Sequence, residues 1–517
     1  SSTSAGDVVF EGERFWCKTP AEARMMLARE GVAVLVGVLD ADEIQGMQEG
    51  MWETLSSMTA PFARPVVRGE PATYGTVRSL MPNHGYLFQG WPGLAHRQHI
   101  WDVRQNPKVA GAFAEIWGCG AEELLTSFDA VSMGVVHLAE GGADVVLVEA
   151  EQPGFGASGR NNGQVIPAYS KHNPDDAVAE FGPERGERLN QMVGGSADLV
   201  FDLIRKHKID CDAAQEGWLQ PAHRASRMKG VEIKHDQWAA RGAPVEMYDA
   251  ARAAELTGSP IYHGGWMHRS GGHIQPLGYS RGLARAAMAA GAAIHGDSPV
   301  QAIDRDGSQW RVKLPNGVLR TDKVILATNG YTGNLFPGLR QTIVPLRSSH
   351  LATAPLSDNV AKSVLPGNHG LSDTRQALWA FRKARDGRIV TTSAPVFTAG
   401  ARGRMTASTI QRLNIAFPQI EQPQIEYFWE GIIAMTPERL PRYHELAGGM
   451  IAALGYSGRG IALGTAVGRM LAQRALGTPA SELALPAVPL KPLPMHDLVV
   501  PLARTLSWYF RWRDTRD

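Results

Sequence analysis

A chain of 517 residues is too long for a single hydrophobic core, so two to four domains, or one large enzyme with interleaved halves, are expected. Its 52 Lys and Arg residues against 51 Asp and Glu give a formal charge of +1, which excludes an overall field drawing it to nucleic acid or to an acidic partner. Three scattered cysteines, Cys17, Cys119 and Cys211, have no CxxC spacing; they exclude a disulfide framework and a structural zinc site and point to a reducing cytoplasm.

In chain order, 21–30 reads as a short helix. The apolar run 31–39 is too short to span a bilayer and passes straight into Asp40, Asp42 and Glu43, unlike a signal peptide, so 32–38 is expected as a buried strand. Asp40 then caps a helix to Ser57 whose apolar positions are Ile44, Met47, Met51 and Leu55. A further helix over 106–117 carries Pro107 in its first turn. These opening residues differ in texture from the rest and form a separate module, 1–133.

From Gly134 the pattern is α/β. A helix ends at Glu140 and stops at Gly141 and Gly142; 144–148 is a strand buried on both faces; Glu149 and a glycine-rich loop, GFGASGRNNG at 154–163, follow. Ser280–Ala290 reads as a helix leading to a strand around Val300. A hairpin turns at Asn316-Gly317, and 323–327 is another buried strand. There is no internal repeat. The proline-dense 481–501 is expected to run extended over the surface, and the aromatic, basic 502–512 is either a membrane-surface helix or a helix docked on this protein or a second subunit.

Six motifs in order carry a resemblance: HLAEGGADVVLVEA, GFGASGRNNGQV, GGHIQPLGYSRGLARAA, KVILATNGYT, WEGIIAMTPERLPR and GYSGRGIALGTAVG. From Gly134 onward the chain resembles the D-amino-acid oxidase-like superfamily of FAD-dependent oxidoreductases, gamma-glutamylputrescine oxidase-like members above all. The resemblance implies a mixed α/β fold (α+β overall), in which a Rossmann-like FAD-binding domain (134–221, 264–345 and 430–480) interleaves with an antiparallel-sheet substrate domain (222–263 and 346–429), followed by the tail 481–517. By position, Glu149 would take the adenosine ribose; Ser158, Gly159, Arg160 and Asn161 would lie near the pyrophosphate; Val300, Ala327 and Thr328 would touch the cofactor; and Gly455, Tyr456, Ser457, Gly458, Arg459 and Gly460 would lie against the isoalloxazine. Arg459 stands where family members often have His.

One piece is missing. The literal GxGxxG at 154–159 follows a strand but opens no helix, since RNNGQVIP is a poor helix former. The register of the HLAE helix puts the dinucleotide loop at 126–131, which reads TSFDAV without a glycine; Phe128 would fill the phosphate space and Asp129 would repel two phosphates. Residues from about 30 to 133 resemble the opening of the phytanoyl-CoA dioxygenase-like family of Fe(II)/2-oxoglutarate enzymes, truncated before the iron ligands, so the chain reads as a chimera joined near Met133. The one HxD, His295-Gly296-Asp297, lies in the flavin portion, and no metal site is expected.

The resemblance implies oxidation of a C–N bond in a small amine or amino acid with oxygen as acceptor, FAD carrying the hydride step. Substrate-side candidates are Tyr331, His350, Arg382 and Trp429, with Trp379 beside them; both tryptophans also fit a core role, and the face of His350 is open. The alternative is a catalytically inactive chimera or scaffold without a competent FAD site. No nucleic-acid or membrane partner is expected, and a homo-oligomer fits the docked-helix reading.

Overall fold

The computed structural model describes residues 16–19, 21–23, 25–26, 34–35, 38–60, 63 and 65–73 of one compact unit, Ser1–Glu123, and 132–514 of a second, Leu124–Asp517, apart from 316, 378 and 394–399. In the first unit, Val34–Leu35, inside the expected strand, pairs in parallel with Trp16–Cys17. Helix α1 (Ala41–Thr59) starts on a reciprocal cap: the Asp40 carboxylate accepts the Glu43 N–H at 3.0 Å, and the Glu43 carboxylate accepts the Asp40 N–H at 2.8 Å. Its expected apolar face is realised only in part. Met47, Met51 and Leu55 are half-buried, but Ile44 is exposed, because the described cover comes from 65–73, where Val66 donates to Thr59 Oγ1 at the far end of the helix. The helix expected over 106–117, Cys119 and the TSFDAV segment lie outside the described residues.

The second unit opens with α2 (Ser132–Glu140), which stops where Gly142 takes φ +80°. There follow β1 (Val146–Val148), α3 (Ala157–Arg160), β2 (Gln164–Val165), β3 (Trp218–Pro221), β4 (Val245–Asp249), β5 (Gly264–His268), β6 (Gly272–His273) and α4 (Pro276–Ala289). Helix α4 begins four residues before the expected Ser280: the Gln275 side chain caps the Gly278 N–H, and Pro276 occupies a first-turn position that needs no donor. Next come β7 (Ala293–His295), β8 (Ala302–Asp306), β9 (Gln309–Leu314), β10 (Gly317–Thr321) and β11 (Val324–Leu326). Val300 lies between β7 and β8 rather than in a strand, because Pro299 has no ladder N–H and Asp297 turns the chain at φ +52°. Last come β12 (Val344–Thr353), β13 (Gly370–Ser372), β14 (Ala380–Lys383), β15 (Ile389–Ser393), β16 (Ile425–Met435), β17 (Arg442–Ala447), β18 (Met450–Leu454), α5 (Ala462–Ala475) and α6 (His496–Asp514).

Two sets of strands are parallel at their core. β1 pairs with β7, and β11 with β18, which is antiparallel to β17. Val146, Val148, Val324, Leu326, Ala452 and Leu454 from both sets share one core, the pattern of strands covered on both faces. Among the described residues, neither β1 nor β11 has a second strand neighbour. Helices α2 and α5 approach so closely that a Cβ on Gly134 would sit 3.0 Å from the Gly468 carbonyl oxygen. β8, β9 and β10 form a meander whose hairpin joins Leu314 to Gly317, as expected.

The larger sheet runs β16-β12-β15-β14-β13-β3-β5-β4, antiparallel except between β13 and β3. The tail after α5 is docked: Leu483 and Leu485 are buried, Val488 donates to the Tyr443 carbonyl at 2.9 Å, and Leu493 donates to the Gln341 carbonyl at 2.9 Å. Helix α6, longer than expected, packs against β12 of its own unit. Among the described residues, no helix is long and apolar enough to cross a membrane.

Candidate functional site

Between the GYSGRG segment, the 157–164 loop and the faces of β12 to β16 opens a cleft with about 1220 Å³ of empty space, part of it open to solvent. The GYSGRG wall is bent tightly: Gly455, Ser457 and Gly458 take φ of +84°, +49° and +85°. Gly455 donates to Asn329 Oδ1 at 3.0 Å and Ser457 donates to the Ala434 carbonyl at 3.2 Å, which fixes the bend. Helix α5 follows at once, with the Leu463 N–H bonded to the Arg459 carbonyl, so the positive end of a fourteen-residue helix borders the cleft. Nothing stands within 4 Å of where a Gly458 Cβ would be.

Arg459 lines this wall while only 8% exposed, and its Nε has no partner. Its guanidinium sits 5.6 Å from the centre of the Trp218 ring, and burial draws its pKa down to about 10. A buried cation with an idle donor suits an anionic or carbonyl-bearing ligand.

The opposite loop is clamped by three residues expected at the substrate. Arg160 Nη2 donates to the Tyr331 hydroxyl at 3.0 Å, and that oxygen also accepts the Ile432 N–H at 3.2 Å. Trp429 Nε1 donates to the Arg160 carbonyl at 2.9 Å, and Arg382 Nε to the Asn162 carbonyl at 2.6 Å. Tyr331, Trp429 and Arg382 therefore shape the loop from behind; none of them lines the cleft. A Tyr331→Phe variant leaves two donors without their acceptor, and its expected cost is about 1–3 kcal/mol in denaturant unfolding.

His350 does face the cleft. In the ladder it stands between Trp429 on β16 and Thr392 on β15, and its ring stacks on Trp429 at 5.8 Å and 25°. Nε2 lies 3.4 Å from Ser348 Oγ, Nδ1 has no partner, and burial pulls the pKa to about 3, so the ring is neutral.

Of the other expected residues, Ser158, Arg160, Asn161, Tyr456, Ser457, Gly458 and Gly460 line the cleft, and Glu149, Gly159, Val300, Ala327, Thr328 and Gly455 do not. Glu149 is buried at the end of β1, and its Oε1 accepts the Glu151 N–H at 3.3 Å. Trp379 packs against the core cluster of Leu219, Phe381 and Phe417 under the Arg375 guanidinium, a structural role. Two polar residues of the 157–164 loop were not singled out in the sequence. Asn162 lines the cleft with both side-chain polar atoms enclosed and unpartnered. Gln164 accepts from Trp218 and Ser372 and donates to the Leu371 and Phe381 carbonyls, tying the loop to the large sheet. Their position in RNNGQ beside Asn161 was the available signal.

Residues 135–474 match the family described as DAO, FAD dependent oxidoreductase, across more than half of the chain. The chain belongs to that family. A gamma-glutamylputrescine oxidoreductase of Escherichia coli (strain K12) is 30% identical over 382 residues, 73% of this chain and 89% of the relative. A probable oxidoreductase OrdL of Haemophilus influenzae is 31% identical over 350 residues, 66% of this chain and 79% of the relative. Among solved structures, glycine oxidase from Geobacillus kaustophilus shares the family fold at a TM-score of 0.56 and 18% identity, covering 68% of this chain and 93% of that one. The family assignment and the mixed α/β expectation therefore agree, and the cleft fits a flavin of that family: Arg459, His350 and Asn162, each with an enclosed polar atom that has no partner, all line it beside the positive end of α5.

Proposed function

We propose that the protein is an FAD-dependent oxidase of a C–N bond in a small amine or amino acid, of the gamma-glutamylputrescine oxidase type, with oxygen as the final acceptor. The observation that carries this reading is a cleft with the head of α5 and Arg459 on one wall and the neutral, buried His350 on another. FAD, when bound, supplies the acceptor for a hydride. Ser158, Arg160, Asn161 and the 455–460 segment would hold it, with Glu149, Val300, Ala327 and Thr328 toward its adenosine end.

His350 is too weak a base to store the proton of an ammonium group, which suits a substrate amine that enters neutral and donates an N–H to the enclosed, unpartnered Nδ1 once the wall admits it. A His350→Gln variant is expected to lower kcat/KM about tenfold, the worth of one buried hydrogen bond. The acid limb of the pH profile should follow the amine of the substrate in both proteins; a limb that disappears with His350 refutes this role.

TSFDAV in place of a glycine loop favours a second reading, a body without a competent FAD site. The first 133 residues contain no HxD, so iron chemistry is not assigned to the dioxygenase-like stretch. The deciding experiment is an absorbance spectrum before and after incubation with FAD, followed by peroxide release on a panel of polyamines and amino acids. A flavin band with peroxide release supports the oxidase. A protein that stays colourless with added FAD leaves the scaffold reading.

A further inference from the structure

We propose that helix α6 is a strap that sets the substrate-side wall of the cleft, with Asp514 as a positioning residue for that wall. The helix is held at both ends. At its start, His496 Nε2 lies 2.8 Å from the Ile343 carbonyl oxygen, one residue before β12. At its end, the Asp514 carboxylate, on a residue only 9% exposed, accepts the Gln376 N–H at 3.1 Å and the Ala377 N–H at 2.7 Å. The Asp514 carbonyl accepts Arg224 Nη2 at 2.8 Å. Between these anchors the helix packs along β12.

What the anchors grip gives them their meaning. The loop 373–379 joins β13 to β14, and its base is the paired Ser372 and Ala380, both of which line the cleft. β12 presents Ser348 and His350 to the same cleft. Inside the loop, the wholly buried Asp373 accepts from the Arg375 side chain and from the Arg375 and Trp379 N–H groups, which ties residues 375 and 379 back to the start of the loop. A force applied at 376–377 is therefore carried to Ser372 and Ala380. None of the anchor bonds themselves reaches 158–161 or 455–460; the wall they grip meets the opposite loop through Gln164, which bonds Ser372, Leu371 and Phe381, and through Arg382 on the Asn162 carbonyl. Paired backbone N–H groups bind a carboxylate strongly, and two of them aimed at a single residue nearly 140 positions away hold the wall in one geometry.

The kinetic part of this inference rests on the proposed amine oxidation; the conformational part does not. The test uses the full chain with Asp514→Ala and Asp514→Asn, the second of which keeps one acceptor oxygen. Amide hydrogen exchange is followed over 373–383 and 344–353, the FAD dissociation constant is measured by absorbance, and KM and kcat are measured with the best amine of the panel. Asp514→Ala is expected to speed exchange at 376 and 377 at least tenfold and to raise KM about tenfold, with kcat and FAD affinity within about twofold of the parent and Asp514→Asn in between. Unchanged exchange overturns the strap. Faster exchange with an unchanged KM overturns its role in positioning the wall. If the parent binds no FAD or turns over no amine, the proposed function fails while the exchange result still decides the strap. Should Asp514→Ala not fold, Arg224→Met removes the third bond of the same anchor, and faster exchange at 376–377 with raised KM is again the expected result.

Discussion

A Gly163→Ala variant is expected to lose roughly 2–5 kcal/mol of stability, and FAD binding with it. Gly163 has φ +92°, a region that costs a side chain about 1–2 kcal/mol by itself. The new Cβ would also fall inside the Ile274 carbonyl oxygen and 2.7 Å from Arg382 Nε. The carbonyl cannot retreat easily, because the Ile274 N–H is bonded to the Gly163 carbonyl at 2.8 Å and β2 is paired with β6 beside it. Overpacking of this kind adds about 1–3 kcal/mol. Relief would come by pushing Arg382 off the Asn162 carbonyl, which frees the loop that borders the cleft. Gly460→Ala is the matching control: it lines the same cleft, but its Cβ would meet only the Tyr456 Cβ, at 3.9 Å. Its expected effect is unchanged stability with weaker FAD binding. Denaturant midpoints and FAD titration of both variants check the pair, and equal midpoints for Gly163→Ala and the parent would show that the backbone here is not constrained as described.

The same residues show how far sequence reasoning reached. The strand before Glu149, the GYSGRG bend and the hairpin at 314–317 were legible because each is written in a short stretch: apolar runs, glycines and a turn dipeptide. The roles of Tyr331, Arg382 and Trp429 were not, because each is decided by a partner more than 170 residues away. Sequence expected them on the substrate side, and their bonds place them on the 157–163 loop instead, outside the lining of the cleft. His350 shows the limit most simply. Its strand is amphipathic in neither direction, and only the ladder with Trp429 and Thr392 turns the ring into the cleft. Ile44 failed for a related reason: helical spacing marks an apolar face, but the cover that buries it is supplied by another segment.

Acid is expected to unfold the second unit steeply below pH 6.5, ahead of most carboxylates. Burial pulls His268 to about 4, His273 to about 4 and His350 to about 3, against 6.5 for a free imidazole. These folded values lie below the unfolded one, so the stability they contribute is present above pH 6.5 and is lost as the pH falls toward 3–4. At pH 5 the unfolded chain carries almost all three protons and the folded chain almost none. Asp373 opposes them: burial raises its carboxyl to about 6, so the folded state holds one proton that the unfolded state has released, and its contribution fades as the pH rises through that value. Three protons less one leaves a net uptake of about two on unfolding near pH 5, a slope of about 3 kcal/mol per pH unit. His369 and His444, also lowered by burial, add in the same direction. Denaturant unfolding between pH 5 and 7 measures the slope. Asp373→Asn is expected to steepen it toward three protons, and His268→Gln to flatten it toward one. His268 is the cleaner probe, since its ring lies in the core beside Trp238 and Trp266 and outside the cleft, so a flatter slope there reports buried charge in the fold and not a ligand lost from the site.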